Sequence, residues 1–394
     1  MSEPRPTRES RLIHGPDPTH TGSVSTPIVH SATFSFPSLE AMIEAQQAGS
    51  AGSFYQRVGH PTIHAVESRL ADLEGSEAAL LFPSGMAAIS SALLAHLKSG
   101  DHVVCVDPCY GGTQQFLLWG RERFGWDYTL VDAREPGGWG SAFRPETRLF
   151  HLECPINPTL VVIDIAAAAA LGRQHGCVVT IDNTIASPLG QRPLEMGCDL
   201  TLYSATKSIA GHSDVLAGAV MGSRQRLARV HDVRKVFGPM PDPQSAWLIE
   251  RSLKTMALRV RASNDNALEL ALRLERHPRV RTVFYPGLAS HPQHAIALRQ
   301  MRLGFGPLLG FEVEGGAGAA LRLVEHLRLI KHGASLGAVE SLSSLAAHTS
   351  HLMLGEAGRA RAGIPEGLVR LSAGIEPVDD LWTDLEQALV AAAS

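Results

Sequence analysis

CVVTIDNTIASPLGQRPLEMGCDLTLYSATKSIAGHSD, residues 177–214, decides the fold. It contains two short apolar runs, CVVTID and DLTL, and each breaks off into polar residues, IDNT after the first and YSATKS after the second. In open α/β sheets ligands bind beyond the carboxyl ends of strands, where turns leave backbone amides and side chains free, so both clusters are candidates for function. Further runs of the same kind precede them: HVVCVD (102–107), TRLFHLE (147–153) and a run ending at Phe82 that opens into FPSGMAA. Helical stretches separate them, including an alanine-rich segment before Gly176. Strands alternating with helices imply a mostly parallel sheet covered on both faces.

Beyond this region the pattern changes. Residues 1–55 carry many Pro, Ser, Thr and Gly residues with little helical period and read as an extended arm of the kind that reaches a neighbouring subunit. A regular segment then begins at Pro61: Ile63, Val66, Leu70 and Leu73 recur at helical spacing and Gly75 closes it. After Gly238 a long helix-like run, interrupted within itself, bridges into a second region. There VRTVFYP, LLGFEVEG and GLVRLSAGIE are strand-like, AALRLVEHLRL is helix-like, and a terminal helix starts at Val378. The division expected is an arm (1–55), a large α/β domain (56–250) and a smaller α+β domain (251–394).

Composition narrows the classes. The 394 residues carry a formal net charge of −4, with Lys and Arg dispersed, which leaves no electrostatic footprint for nucleic acid or anionic lipid. The five cysteines are scattered without a CxxC pair, so neither a disulfide framework nor a metal site is expected. No stretch approaches the roughly 18 apolar residues of a membrane span, and the polar, Pro-rich first twenty residues do not read as a secretory leader. The expectation is a cytoplasmic protein with small-molecule partners.

The polar clusters complement one another chemically. Lys207 lies among small and hydroxylated residues with few acids to compensate its charge, a setting that depresses a lysine pKa and frees the amine as a nucleophile, as Schiff-base chemistry requires. Ser204, Thr206 and Ser208 around it have the hydroxyls of a phosphate cradle. Asp182, at the end of CVVTID, is placed to pair with a protonated pyridine nitrogen and keep such a ring an electron sink. Ser84 and Gly85 precede a helical run, so the amides of Gly85 and Met86 point at an anion at a helix start. Each has a plainer reading in isolation: a solvated surface lysine, a turn aspartate, an ordinary helix cap. GFGPLLG (304–310) does not match a dinucleotide fingerprint and reads as a loop leading into a strand. His212 and Asp214 read as part of a structural turn.

Taken together, SATKSIAGHSD, IDNT, FPSGMAA, DPCYGGT, FYQRVGHPT, SLGAVESL and LVRLSAGIEPVDDL, in that order and spacing, resemble the Cys/Met-metabolism enzymes that use pyridoxal 5′-phosphate (PLP). The resemblance covers nearly the whole chain from about Ser31. It implies the aspartate-aminotransferase-like PLP-dependent transferase fold and a homotetramer built as a dimer of dimers. It also implies that Lys207 carries the cofactor, Asp182 partners its ring nitrogen, Thr184 supports the ring, and Gly85, Met86, Ser204 and Thr206 hold its phosphate. By the same likeness Tyr55 and Arg57 reach the neighbouring subunit's phosphate, and Tyr110 stacks on the ring and exchanges a proton. Asn157, Ser335 and Arg370 bind a small sulfur-containing amino acid, with Arg370 on its α-carboxylate.

Departures from the family pattern concern the substrate side: Cys154 replaces the serine of the SPxNP segment, His60 the asparagine before Pro61, and SHLML (350–354) the commoner THxxM. Two further positions bear on the reaction. Ala334 stands where cystathionine γ-synthases and cystathionine γ-lyases typically place a glutamate before the serine, and Gly112 where methionine γ-lyases typically place a cysteine. The resemblance is therefore similar above all to cystathionine β-lyase, which releases homocysteine from cystathionine. The rivals are a γ-acting lyase, synthase or sulfhydrylase, and a binding protein without turnover.

Overall fold

The strand formed by Val178–Asp182 lies at the middle of a seven-stranded sheet, every one of its residues buried. The computed structural model describes residues 6–15, 22–48, 53–349 and 351–392, and all but the side chain of Met353 within them. In chain order the strands of the large sheet are β1 (Ala78–Phe82), β2 (His102–Asp107), β3 (Asp127–Asp132), β4 (Thr147–Glu153), β5 (Val178–Asp182), β6 (Leu200–Tyr203) and β7 (Gly218–Gly222), arranged β1-β7-β6-β5-β4-β2-β3. Strands β2 to β6 run parallel, and β7 runs antiparallel to both β6 and β1. The reversal follows from what joins β6 to β7. A parallel return needs a crossover, usually a helix, whereas residues 204–217 are spent on the loop that carries Lys207.

Helices pack on both faces of this sheet. Pro61–Glu74 begins with Pro61 at its first position and ends at Gly75, whose left-handed φ of 82° closes the last turn. Its buried Ile63, Val66 and Leu70 share a core with Ala219 and Met221 of β7. The long run after Gly238 is two helices, Pro243–Leu253 and Met256–Glu275. The second joins two cores: Met256 and Val260 pack with the large-sheet residues, while Ala267, Leu270 and Leu274 pack against the second sheet. That sheet has five strands, β8 (Val280–Phe284), β9 (Leu308–Val313), β10 (Lys331–His332), β11 (Leu342–Leu345) and β12 (Leu368–Ser372), in the order β10-β11-β12-β9-β8. Helices Gly316–His326 and Val378–Ala391 contribute Leu323, Leu381 and Leu385 to its core.

The arm differs from a purely extended segment. Arg8–His14 is helical, its Leu12 is buried against Ile63 and Leu70, and Arg11 pairs with Asp72 at 2.7 Å. One buried leucine in seven residues leaves no period to read. Leu39–Gln47 is also helical and has no buried residue. Residues 1–5, 16–21 and 49–52 of this segment, and Ser350 of the SHLML segment, lie outside the described residues. Among those described, no helix is long and apolar enough to cross a membrane.

Candidate active site

Beyond the carboxyl ends of β4, β5 and β6 lies a cavity of about 230 Å³. Gly85, Met86, Tyr110, Asn157, Asp182, Thr184, Ser204, Thr206, Lys207 and Arg370 all line it. Side chains separated by up to 285 positions in sequence thus meet at the place the strand ends predicted. A larger cavity, about 490 Å³, lies between Val161, Phe284 and Pro292, but it holds none of these residues. The smaller one is the better candidate because nucleophile, buried acid and cation converge there.

Asp182 is buried at the tip of β5, and burial pushes its pKa up. Thr184 opposes that shift by donating to Oδ1 twice, from its amide at 3.0 Å and its hydroxyl at 2.6 Å. The Thr184 hydroxyl in turn accepts the Ser204 amide at 2.8 Å. With both Thr184 donors on Oδ1, the other carboxylate oxygen is left for a ligand.

Two backbone amides form an anion site at the start of helix Gly85–Leu94. Ser84 caps this helix: its hydroxyl accepts the Ala87 amide at 3.0 Å and its carbonyl the Ala88 amide. The Gly85 and Met86 amides, the first two of the helix, have no intrahelical acceptor. Gly85 is required here by a close approach, since a Cβ would lie 2.9 Å from the Ser204 Cβ. Ser204 lines the same corner. Thr206 also lines the cavity, but its hydroxyl donates to the Ala217 carbonyl (3.1 Å) and accepts the Ala217 amide (2.8 Å), pinning the two ends of the lysine loop together.

Lys207 is held across the domain junction. Its Nζ donates to the Ser335 hydroxyl at 2.8 Å, and burial, followed by the positive charge of Arg370, lowers its pKa against the opposing pull of Asp182. The loop carrying Ser335 is docked on the lysine loop: Val339 donates its amide to the Gly211 carbonyl at 3.0 Å. Gly337, at φ 72°, passes so close that a Cβ would sit 2.6 Å from the Ser208 Oγ. From beneath, the buried Arg259 guanidinium donates to the carbonyls of Ser208 (2.9 Å) and Ser252 (2.8 Å). The turn expected around His212 and Asp214 is therefore a braced one.

Arg370, in the middle of β12, is 3 % exposed, and burial lowers its pKa to about 10, which leaves it charged. It donates to the Ser335 carbonyl at 3.1 Å and has further donors to offer. Asn157 is buried with its Oδ1 unpartnered. Tyr110 caps helix Gly111–Phe124 with its ring 46 % exposed, lying over Gly112, where a Cβ would come within 2.6 Å of its Cε1. Tyr55 and Arg57 do not line this chain's cavity: Arg57 donates to the Lys235 carbonyl at 2.7 Å and lies 5.7 Å from the Tyr55 ring centroid.

One lining residue went unselected in the sequence. Glu153 ends β4 directly opposite Asp182, buried, and the reasoning that singled out Asp182 at a strand's carboxyl end applies to it equally. Apolar walls from Ile89, Ile185, Leu216 and Leu336 were not legible either.

The chain belongs to the Cys/Met metabolism PLP-dependent enzymes, whose family model matches residues 9–390. Its cofactor is pyridoxal 5′-phosphate. It is 42 % identical to the L-methionine gamma-lyase of Pseudomonas putida over 97 % of this chain and 96 % of that one. To a cystathionine beta-lyase of Bacillus subtilis it is 40 % identical, over 99 % and 98 % of the two chains. The crystal structure of cystathionine gamma synthase from Xanthomonas oryzae pv. oryzae, in complex with aminoacrylate and cysteine, superimposes with a TM-score of 0.93 at 34 % identity, covering 99 % of each chain. These likenesses establish the PLP transferase fold and an amino-acid-metabolising enzyme while dividing among β-lyase, γ-lyase and γ-synthase. The cavity fits the cofactor on its own evidence: two free helix-start amides for a phosphate, a buried carboxylate with a spare oxygen for a ring nitrogen, an orphaned amide oxygen at Asn157, and a lysine depressed in pKa.

Proposed function

We propose that this enzyme is a carbon–sulfur lyase that cleaves cystathionine by β-elimination, releasing homocysteine and a three-carbon fragment that one water hydrolyses to pyruvate and ammonia. When bound, pyridoxal phosphate supplies an electron sink for the charge left at Cα after proton removal. The protein's residues do the rest. The Gly85 and Met86 amides and the Ser204 hydroxyl would take its phosphate, with Thr206 joining them once its hydroxyl turns from the Ala217 carbonyl, Asp182 would pair with the ring nitrogen, and Thr184 holds that carboxylate in place. Tyr110 covers the ring face. Arg370 clamps the substrate α-carboxylate with two parallel donors and so aims the Cα–H bond at Lys207, with Asn157 and Ser335 at its sides.

Lys207 is the residue that would hold the cofactor, and its neutral amine would be the base that takes the Cα proton. Its lowered pKa makes the neutral amine available, and Ser335 anchors Nζ while the proton moves from Cα. Lys207 then stands close to the departing sulfur, which leaves as a thiol when a proton reaches it. Tyr55 and Arg57, directed away from this chain's cavity, support a site completed by a neighbouring subunit within a homotetramer.

The observation that carries β- over γ-chemistry is the wall at position 334. Ala334 lines the cavity together with Leu216 and Leu336, so no carboxylate stands there to engage a distal ammonium or to assist at Cγ. Product analysis with cystathionine is the test. Homocysteine and pyruvate are expected; a dominant yield of cysteine and 2-oxobutyrate refutes β-specificity and leaves the PLP-lyase reading intact.

A further inference from the structure

Glu153 presents a puzzle of cost. It is 6 % exposed and sits in register with Asp182 on the adjacent strand, so two carboxylates share one buried corner. Burial, then the Asp182 charge, drives its pKa up. A buried acid beside another acid is retained only where its oxygens are used.

They are used on two backbone amides. One oxygen accepts the Tyr110 amide at 2.6 Å and the other the Asn157 amide at 3.4 Å. Tyr110 is the capping residue that follows β2, and Asn157 lies in the turn that follows β4. Among the described residues neither side chain is fixed by a hydrogen bond of its own: Tyr110 is half exposed, and the Asn157 Oδ1 is unpartnered. Their backbones must therefore do the positioning, and one carboxylate holds both.

We propose that Glu153 is a positioning residue that sets the Tyr110 ring and the Asn157 amide against the cofactor by clamping their two backbone amides. The inference rests on the assignment of Tyr110 and Asn157 to the cofactor and holds for β- and γ-chemistry alike. A glutamine cannot replace the clamp, because its NH₂ turns a donor toward one of the two N–H groups. An aspartate keeps the carboxyl but draws its oxygens back by one methylene.

The test is reconstitution of apoprotein with pyridoxal phosphate, read as cofactor affinity and as the visible circular dichroism of the bound cofactor. Glu153→Gln and Glu153→Asp are expected to weaken affinity about tenfold, the worth of one hydrogen bond, and to change the dichroism. Leu152→Ala, buried on the same strand but facing the opposite side of the sheet, is the control: it lowers thermal stability and leaves both readings in place. In a Tyr110→Ala, Asn157→Ala background, substituting Glu153 adds little, because the clamp has lost its load. Wild-type affinity and dichroism in the Glu153 variants overturn the proposal, as does an undiminished effect in that background; if Glu153→Gln does not fold, Glu153→Asp decides. Should Tyr110→Ala, Asn157→Ala itself leave affinity and dichroism unchanged, the underlying assignment falls and the clamp with it.

Discussion

Replacing Glu74 by glutamine should make the protein more stable, and increasingly so as pH rises. Glu74 closes helix Pro61–Glu74 and is 1 % exposed. The Tyr203 hydroxyl donates to it at 2.7 Å and receives the Asn183 amide at 2.8 Å, so the carboxyl supports the residue next to Asp182 from behind the sheet. Burial raises its pKa from 4.5 to about 7, against the opposing pull of Tyr203 and of Arg8. In the unfolded chain the group loses its proton near pH 4.5, and in the folded chain only near pH 7. The stability its neutral form provides is thus complete below the unfolded value and drains away as pH climbs through the folded one. A displacement of roughly 2.5 units corresponds to about 3 kcal/mol, nearly all of it lost by about pH 8.

Glutamine mimics the neutral form: its carbonyl still accepts from Tyr203, and its NH₂ faces the Thr201 hydroxyl. Melting temperatures of wild type and Glu74→Gln, taken from about pH 5 to about pH 8, should diverge by about 2–3 °C as the remaining ~2 kcal/mol comes into play. A gap that stays flat over that window, or widens toward acid, refutes the argument, because either result means that Glu74 is charged throughout or that its burial costs nothing.

Three further perturbations address the site. Arg370→Lys keeps the charge but loses the fork, so kcat/KM should fall about 100-fold or more with the cofactor's absorbance retained; a fall of less than a few-fold argues against an α-carboxylate clamp. Gly112→Ala places a Cβ 2.6 Å from the Tyr110 Cε1 and 2.7 Å from the Met86 Sδ, so the ring must shift; kcat should fall about tenfold with stability nearly kept, and unchanged kinetics would show that the ring's place is unimportant. An Arg57→Ala chain mixed with a Lys207→Ala chain should regain activity, up to about a quarter of wild type if subunits assort randomly in a two-fold dimer. Absence of recovery despite proven subunit exchange counts against a shared site.

What the sequence revealed of the fold is what local period can encode. HVVCVD, TRLFHLE and CVVTID became β2, β4 and β5 within a residue, because fully buried strands are continuous apolar runs bounded by turns. Gly75 and Gly238 marked helix ends through their left-handed backbones. Strand order and direction were not legible: β1 pairs with β7 across 140 residues of chain, and β7, GAVMG, is too rich in glycine to announce itself. Nor did one leucine in the arm betray a helix that packs on the large domain.

The site divides along the same line, and the division explains why its specificity is harder to read than its cofactor. The residues proposed to hold the cofactor come from the turns after β1, β2, β5 and β6 of one sheet, so their order and spacing are a property of the chain and appear as motifs. Arg370 comes instead from β12 of the second sheet and Ser335 from the loop between β10 and β11, and they reach Lys207 only because Arg259, Gly337 and Val339 dock one loop against another. A displacement of that dock moves Arg370 and Ser335 relative to Lys207 without altering any of the three. On the proposed reading, the cofactor's place is set by turns of the seven-stranded sheet, while the choice between elimination at Cβ and at Cγ would be set by how the second sheet and its loops present Ala334, Ser335 and Arg370, a relation held by contacts between loops that leave no period in the sequence. Glu153 belongs to neither class: it sits at a strand end where sequence reasoning looks, yet what it does depends on which amides two other loops bring to it.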